Sequence, residues 1–215
     1  MTDYTLYKES VLNSARMMAE MGYLVATGGN VSVRIRGEEA LAITPSGRDY
    51  LQIRVDEICV RGFDEAMIEG ALKPSIEMGM HTAVYQNRPD VNAIIHTHQP
   101  YATIFALINH PIPALFDEQV VYIGDRVEIV PYAMSGTPQL AANLASKLGN
   151  QCNAYILQNH GIICMGTTME KTAVNIQVLE KTARIYHAAL TSGLPITPLS
   201  PEGTQFFFDI LKQSQ

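Results

Sequence analysis

Apolar and polar residues follow patterns that predict alternating helices and strands in the first half of the chain. Apolar residues at helical spacing over 4–22 predict an amphipathic helix that ends near Gly22. Alternation over 31–35 and an apolar run over 40–43 predict two strands paired as a hairpin. A further strand is expected over 57–60.

The second half of the chain carries stronger helix signals. A helix is predicted over 75–87, after Pro74 and with Ser75 as a possible N-cap. Other helices are expected from Pro100 to about 108, over 137–148, over 168–190, and as a short last helix from Pro201. Strands are expected over 91–96, 127–131, 154–157 and 162–165. This alternation lacks regular βαβ spacing, which favours an α/β sheet layered with helices. The chain shows no internal repeat or linker, so one domain over 1–215 is expected.

Composition narrows the class of protein. Of 215 residues, 47% are hydrophobic and 17% charged, which is typical of a globular protein. A net charge of -6 argues against nucleic acid or an anionic membrane as a partner. No signal peptide or bilayer-length apolar run is visible, so a cytoplasmic protein is expected. The three cysteines, at positions 59, 152 and 164, are interpreted as reduced thiols.

Three histidines form a candidate metal site. His96 and His98 end a predicted strand, where residues two apart project to one face. His160 also ends an apolar strand, and Gly161 allows a sharp turn after it. Three histidine ligands would leave a position open for substrate. Each signal alone is weak, because a histidine at a strand end is more often simply hydrogen-bonded. His81, His110 and His187 lack a paired neighbour and are interpreted as bystanders.

Glu77 and two small-residue loops are further candidates. Glu77 lies near the start of a predicted helix, where the helix dipole alone would explain a carboxylate. The loops over 27–30 and 44–47 offer amides and hydroxyls that could cradle a phosphate. Neither loop matches a nucleotide-binding glycine motif, so nucleotide binding is not indicated.

Seven segments in a fixed order carry a family resemblance. They are Gly28-Gly29-Asn30-Val31-Ser32-Val33-Arg34, Ile43-Thr44-Pro45-Ser46-Gly47, Lys73-Pro74-Ser75-Ile76-Glu77, His81, Tyr85-Gln86-Asn87-Arg88-Pro89-Asp90, His96-Thr97-His98 and Gln158-Asn159-His160-Gly161. In this order, over nearly the whole chain, they resemble the class II aldolase/adducin head family. That family includes fuculose-1-phosphate aldolase and ribulose-5-phosphate 4-epimerase.

The resemblance implies a three-layer α/β/α sandwich around a mostly antiparallel mixed sheet. It also implies a homotetramer with active sites between subunits. One divalent metal per subunit would bind His96, His98 and His160, usually zinc, with Mn²⁺ and Co²⁺ as alternatives. Glu77 would be the catalytic acid/base, and Glu in place of Asp favours aldolase over 4-epimerase. The substrate phosphate would be held by Gly29, Asn30, Ser46, Gly47 and Ser75.

The chain departs from the fuculose enzyme's pattern at three places. Ile76 stands where that enzyme has a second serine, and Asp117, followed by Glu118, stands where it has a tyrosine after Ile-Pro-Ala. The tail contains Phe206, Phe207 and Phe208 but no tyrosine. The residue that accepts the proton of the substrate C4 hydroxyl is therefore not assigned. The alternatives are Asp117, Glu118 and Tyr122 of an adjacent subunit.

The expected reaction is cleavage of a ketose 1-phosphate to dihydroxyacetone phosphate and an aldehyde. The apolar replacements favour 5-deoxyribulose or 5-methylthioribulose 1-phosphate over fuculose 1-phosphate. Alternatives within the family are a sugar-phosphate 4-epimerase, a methylthioribulose-phosphate dehydratase and a sugar-acid phosphate decarboxylase. A non-catalytic adducin-like interaction module is the alternative from a different class.

Overall fold

Nine short strands of the computed structural model, which describes residues 3–215, form one sheet. They are β1 Asn30–Arg34, β2 Ala40–Ile43, β3 Cys59–Gly62, β4 Met67–Glu69, β5 Ala93–Thr97, β6 Ile112–Pro113, β7 Arg126–Val130, β8 Ala154–Leu157 and β9 Gly161–Gly166. Their order across the sheet is β4-β3-β2-β1-β5-β9-β8-β7-β6. The β7–β8 pair is parallel and the other neighbours are antiparallel, which confirms a mostly antiparallel mixed sheet.

Seven α-helices accompany the sheet within residues 3–215. They are α1 Thr5–Glu20, α2 Met78–Asn87, α3 Pro100–Ile108, α4 Asp117–Tyr122, α5 Pro138–Ala145, α6 Met169–Thr191 and α7 Pro201–Gln213. Side chains of Thr137, Thr168 and Ser200 accept backbone N–H hydrogen bonds at the starts of α5, α6 and α7. These caps explain why the predicted starts of the three helices are close to the observed ones.

The two faces of the sheet bury separate apolar cores. Alternate strand residues point to opposite faces, so Val31 and Ile95 pack with α1, α3 and α6. Residues of the other parity, such as Ile43 and Ile94, pack with α2, α5 and α7. Helices therefore cover both faces, and the predicted three-layer α/β/α arrangement is confirmed. None of the helices described within residues 3–215 combines the length and apolar character that crossing a membrane requires.

The predicted start of the helix at residue 75 is wrong. The helix α2 begins at Met78, because the preceding segment pairs with the loop over 44–47 instead. Ser75 N–H donates to the Thr44 carbonyl and Ser46 N–H to the Lys73 carbonyl, both at 3.0 Å. Ser75 is therefore not the N-cap, and Glu77 occupies that position.

Two further differences concern short elements. The strand predicted over 57–60 begins only at Cys59, because Glu57 lies in a 3-10 turn, Val55–Glu57, where its carboxylate accepts the Arg54 N–H. The short elements β4, β6 and α4 were not predicted. The two or three residues of β6 and β4 are too few to show alternation, and the six residues of α4 span less than two helical turns.

Candidate active site

Strand register brings three histidine rings together at one end of the sheet. His96 lies in β5, directly opposite Asn30 of β1 and Ile163 of β9. His98 follows two residues later, and His160 lies in the turn between β8 and β9. Ring centroids are 4.7–5.3 Å apart, and one ring nitrogen from each histidine lies within 4.8 Å of the others. The structure therefore brings the three predicted ligands into one cluster.

The hydrogen bonds of His96 identify the nitrogen that faces the cluster. Its Nδ1 lies 2.7 Å from the Ile162 carbonyl, which can only accept, so Nδ1 carries a proton. In the neutral ring, Nε2 then presents a lone pair. That Nε2 lies 3.2 Å from Nε2 of His98 and 3.2 Å from Oε2 of Glu77. Lone pairs placed so closely repel one another unless a cation or a proton lies between them.

His98 and His160 are neutral at physiological pH. Burial, followed by the charge on His96, lowers the pKa of His98 to about 4. The same causes in the same order lower the pKa of His160 to about 4. A histidine must be unprotonated to bind a metal, so both rings are in the form that a ligand requires.

Two glycines hold the His98 ring by close approach. A Cβ atom at Gly161 would lie 2.4 Å from Cδ2 of His98 and 2.6 Å from the Thr97 carbonyl oxygen. A Cβ atom at Gly28 would lie 2.9 Å from Nδ1 of His98. All three distances are shorter than a Cβ atom allows. The ring therefore occupies a slot that only glycine on each side leaves open.

Glu77 points into the histidine cluster. It occupies the N-cap position of α2, but its side chain makes no capping hydrogen bond. Instead Nδ2 of Asn30 donates to its Oε2 at 2.8 Å. Its Oε1 lies 3.3 Å from Nε2 of His160 and has no hydrogen bond to any residue within 3–215. The carboxylate is thus aimed at the candidate metal position, which the helix dipole alone would not explain.

The Glu77 carboxylate is ionised in this setting. Burial acts to raise its pKa, because the side chain is only 7% exposed. The neighbouring His96 and His160 rings and the hydrogen bond from the Asn30 amide together outweigh burial and hold the Glu77 pKa below its ordinary value. A cation among the three histidines would act in the same direction.

The donor set fits a divalent metal. Three imidazole nitrogens converge, two of the rings are neutral, and a buried carboxylate oxygen lacks a hydrogen bond within the described residues. Imidazole with carboxylate nearby suits zinc and other transition metals, and three histidines leave room for substrate. The arrangement could therefore hold one ion and present it to a ligand.

A cleft of about 250 Å³ opens beside the cluster. It is lined by Glu77, His98 and His160, and by all five predicted phosphate-binding residues: Gly29, Asn30, Ser46, Gly47 and Ser75. Hydroxyls and backbone amides supply the polar groups, since no lysine or arginine of residues 3–215 lines the cleft. The Asn30 amide is already hydrogen-bonded to Glu77, so its side chain faces the carboxylate.

Two lining residues were not found from the sequence. Ser135, in the loop before α5, has its Oγ 3.4 Å from Nε2 of His160. The Tyr50 hydroxyl donates to the Gly29 carbonyl and so holds the glycine loop. Ser135 lies in an irregular segment with no period, so no sequence signal pointed to it. Tyr50 follows the loop over 44–47, and its hydrogen-bond partner Gly29 lies 21 residues earlier in the chain. The sequence alone does not indicate that contact.

The candidate second acid/base residues do not enter the cleft of their own chain. Asp117, Glu118 and Tyr122 are exposed on α4, and Glu118 pairs with Lys181. If any of them acts at this site, another copy of the chain must supply it.

The apolar replacements are also separated. Ile76 lines the cleft and is 67% exposed. Phe206 is exposed on α7, and Phe208 packs into the apolar core on the α2 side of the sheet. Within residues 3–215, none of Phe206, Phe207 and Phe208 lines the cleft. Only Ile76 of the four can contact a substrate here without help from another copy.

The remaining histidines lie outside the cluster. His81 is fully buried, with Nδ1 2.7 Å from Oγ of Ser32. His110 is hydrogen-bonded to the Tyr186 hydroxyl at 2.9 Å. The ring of His187 lies 6.1 Å from that of Tyr101.

Several known proteins are similar to this chain. The family model for the class II aldolase and adducin N-terminal domain matches residues 9–187. A 5-deoxy-D-ribulose 1-phosphate aldolase of Bacillus thuringiensis serovar kurstaki is 32% identical over 188 residues, which cover 87% of each chain. A 5-methylthioribulose-1-phosphate/5-deoxyribulose-1-phosphate aldolase of Escherichia coli O45:K1 is 36% identical over 164 residues, covering 76% of this chain and 75% of the relative.

A solved structure shares the whole fold. An L-fuculose 1-phosphate aldolase superposes with a TM-score of 0.92 at 32% sequence identity. The match covers 99% of this chain and 98% of the other. Sheet and helix layers therefore correspond from end to end.

Proposed function

Because the chain belongs to the class II aldolase and adducin N-terminal domain family, we propose that it is a metal-dependent aldolase. It cleaves a ketose 1-phosphate to dihydroxyacetone phosphate and an aldehyde. The observation that carries the proposal is the Glu77 carboxylate, placed 3.2 Å from His96 and 3.3 Å from His160 in a cleft lined by hydroxyls.

His96, His98 and His160 would hold the divalent cation, for which we propose zinc. When bound, the cation supplies a Lewis acid that stabilises the negative charge developing on the substrate oxygens as the C3–C4 bond breaks. The chain's part is to orient the rings. The Ile162 carbonyl does so for His96, and the close glycines do so for His98.

Glu77 moves the proton at C3. In the condensation direction its ionised carboxylate removes a proton from C3 of dihydroxyacetone phosphate. In the cleavage direction the protonated side chain returns a proton to that carbon. The lowered pKa of Glu77 favours the ionised form that condensation needs. The hydrogen bond from Asn30 to Oε2 orients the carboxylate.

The phosphate is bound by hydroxyls and amides. Ser46, Gly47 and Ser75 line the same cleft as His98 and His160, together with Gly29 and Asn30. Oriented backbone amides and hydroxyls can bind an anion without a lysine or arginine. This explains how a chain of net charge -6 could bind a phosphorylated sugar.

The substrate we propose carries an apolar C5 substituent, as in 5-deoxyribulose or 5-methylthioribulose 1-phosphate. Ile76 supports this, because its exposed side chain offers an apolar contact at the cleft. The two relatives given above are named as aldolases of these sugar phosphates. The structural neighbour is named as an aldolase of fuculose 1-phosphate.

The proton of the C4 hydroxyl needs a separate acceptor. We propose that a neighbouring copy in a homotetramer supplies it from α4, through Asp117, Glu118 or Tyr122. All three are exposed and therefore available to another subunit.

The test is an assay for released dihydroxyacetone phosphate across a panel of ketose 1-phosphates, with and without chelator. We expect metal-dependent release, fastest for the 5-deoxy and 5-methylthio sugars. Turnover without this product would instead indicate epimerisation, dehydration or decarboxylation. A folded protein that retains no metal and turns over none of the panel would indicate a non-catalytic module.

A further inference from the structure

A line of buried polar contacts joins β1 to α2 beneath the candidate active site. Every second residue of a strand points to the same face, so Asn30, Ser32 and Arg34 all face α2. Residues four apart share one stripe of a helix, so Glu77, His81 and Tyr85 face β1. We call these two sets of three the β1–α2 seam: Asn30, Ser32, Arg34, Glu77, His81 and Tyr85.

The Ser32 hydroxyl is the centre of this seam. Its Oγ lies 2.7 Å from Nδ1 of His81 and 2.7 Å from the hydroxyl oxygen of Tyr85. On one side of it, Asn30 donates to Glu77. On the other side, the Arg34 guanidinium donates to the Tyr85 carbonyl. The strand thus contacts α2 through hydrogen bonds at each successive turn.

These groups lie inside an otherwise apolar core. Ser32 and His81 are 0% exposed and Tyr85 is 1% exposed, among the leucine, isoleucine and methionine residues of the second core. Nε2 of His81 has no hydrogen-bond partner within residues 3–215, which carries a cost. An apolar interface would avoid that cost but would let the helix slide or rotate. Hydrogen bonds of fixed geometry specify one register.

The register of α2 matters most for Glu77. His81 lies one helical turn after Glu77, and its backbone N–H donates to the Glu77 carbonyl. The histidine cluster does not depend on α2 in this way. His96 is placed by the pairing of β5 with β1 and β9, and His98 by the close glycines. A shift of α2 would therefore move the carboxylate while the three rings stay in place.

We propose that Ser32, His81 and Tyr85 are positioning residues that set the register of α2 over β1 and thereby hold Glu77 against His96 and His160. The inference rests on the acid/base role proposed for Glu77. The three residues touch neither substrate nor metal, and their effect is carried entirely by the carboxylate.

The first experiment compares S32A and Y85F with a matched control. Misplacing a reacting group by about 1 Å can cost ~10²-fold in rate, so we expect S32A to lower kcat by roughly 10- to 10²-fold. Y85F, which removes one hydroxyl and keeps the ring, should lower kcat less. Metal content should stay within about twofold, since the three histidines lie on other elements. KM should change less than kcat, since only Asn30 of the five proposed phosphate-binding residues lies on β1 or α2. The control T172V removes a buried hydroxyl that bonds to the Ala93 carbonyl on the opposite face, and should leave kcat unchanged.

The second experiment is a double-mutant cycle with E77Q. If Ser32 acts only through Glu77, adding S32A to E77Q should lower kcat no further. An equal fold-loss in both backgrounds would overturn the proposal. So would full kcat in both S32A and Y85F, or loss of metal from S32A.

A crystal structure of S32A gives a readout that does not depend on turnover. We expect the Glu77 carboxylate to move away from its 3.2 Å and 3.3 Å contacts with His96 and His160, while the T172V structure keeps them. An unmoved carboxylate in S32A would overturn the positioning role. Absence of dihydroxyacetone phosphate release by the wild-type enzyme would instead count against the proposed function.

Discussion

The inner end of the cleft and its rim are built in different ways. At the inner end, His96 and Glu77 are buried and each is held by a hydrogen bond to another element. At the rim, Ile76 is 67% exposed and lies in a segment outside helices and strands. The inner groups are those to which we assign the metal and acid/base roles. The rim can change without disturbing them, which makes it the place where substrate preference can vary.

The largest expected effect is at Glu77. E77Q keeps the size of the side chain but removes its charge. No carboxylate then remains to accept or return the proton at C3. We expect kcat to fall by ~10²–10⁴-fold while metal stays bound. Metal analysis and the product assay measure both quantities. E128Q, which removes a carboxylate paired with Lys147 at 3.1 Å outside the cleft, is the control. Full activity of E77Q would remove Glu77 from its assigned role.

The next effect is at Gly161. G161A would place a methyl group 2.4 Å from the His98 ring, which must then move. Altered support of a ligand typically costs ~10- to 100-fold in metal affinity, and we expect a loss of that order. Competition with a chelator measures it. G79A is the control, because a Cβ there meets no atom within 4 Å. Equal metal affinity in the two variants would contradict the fit described for His98.

Ser75 should have a smaller effect, mainly on phosphate binding, because its Oγ also accepts the Glu77 N–H at 3.3 Å. Hydrogen bonds to charged groups contribute ~1.5–3 kcal/mol, so S75A should raise KM for a ketose 1-phosphate by roughly 10-fold or more. The same variant should leave metal content unchanged. S146A, at an exposed serine that donates to the Asn143 carbonyl, should leave KM unchanged. An unaltered KM in S75A would argue against this part of the phosphate site.

The smallest effect is expected at the rim. I76S should lower the preference for a 5-deoxy or 5-methylthio sugar over fuculose 1-phosphate by roughly 10-fold, near the lower end for apolar contacts because the side chain is exposed. The ratio of kcat/KM values measures this preference. L107S, at an exposed leucine on α3, tests for general effects of the change. A ratio unchanged in I76S would place the specificity elsewhere, for example on a neighbouring subunit.

Regular patterns predicted most of the fold, and local signals failed where distant segments pair. The helix α3 begins at Pro100 as predicted, and α6 begins one residue after its predicted start at 168. The start of α2 did not, because backbone hydrogen bonds from the loop over 44–47 hold residues 74–77 out of the helix. Those three residues of difference matter for the site. They leave Glu77 at the end of an irregular segment, free to turn toward the histidines.

The sequence by itself determined which side chains share a face. The two-residue period of β1 places Asn30 and Ser32 together, and the four-residue spacing of α2 places His81 and Tyr85 together. Only the tertiary structure decided that these faces meet, that His160 joins His96 and His98, and that Glu77 points at all three rather than capping its helix. The reason is physical: a period reflects backbone geometry within one element. A contact between elements depends on strand register, close packing at residues such as Gly161, and hydrogen bonds between segments far apart in the chain.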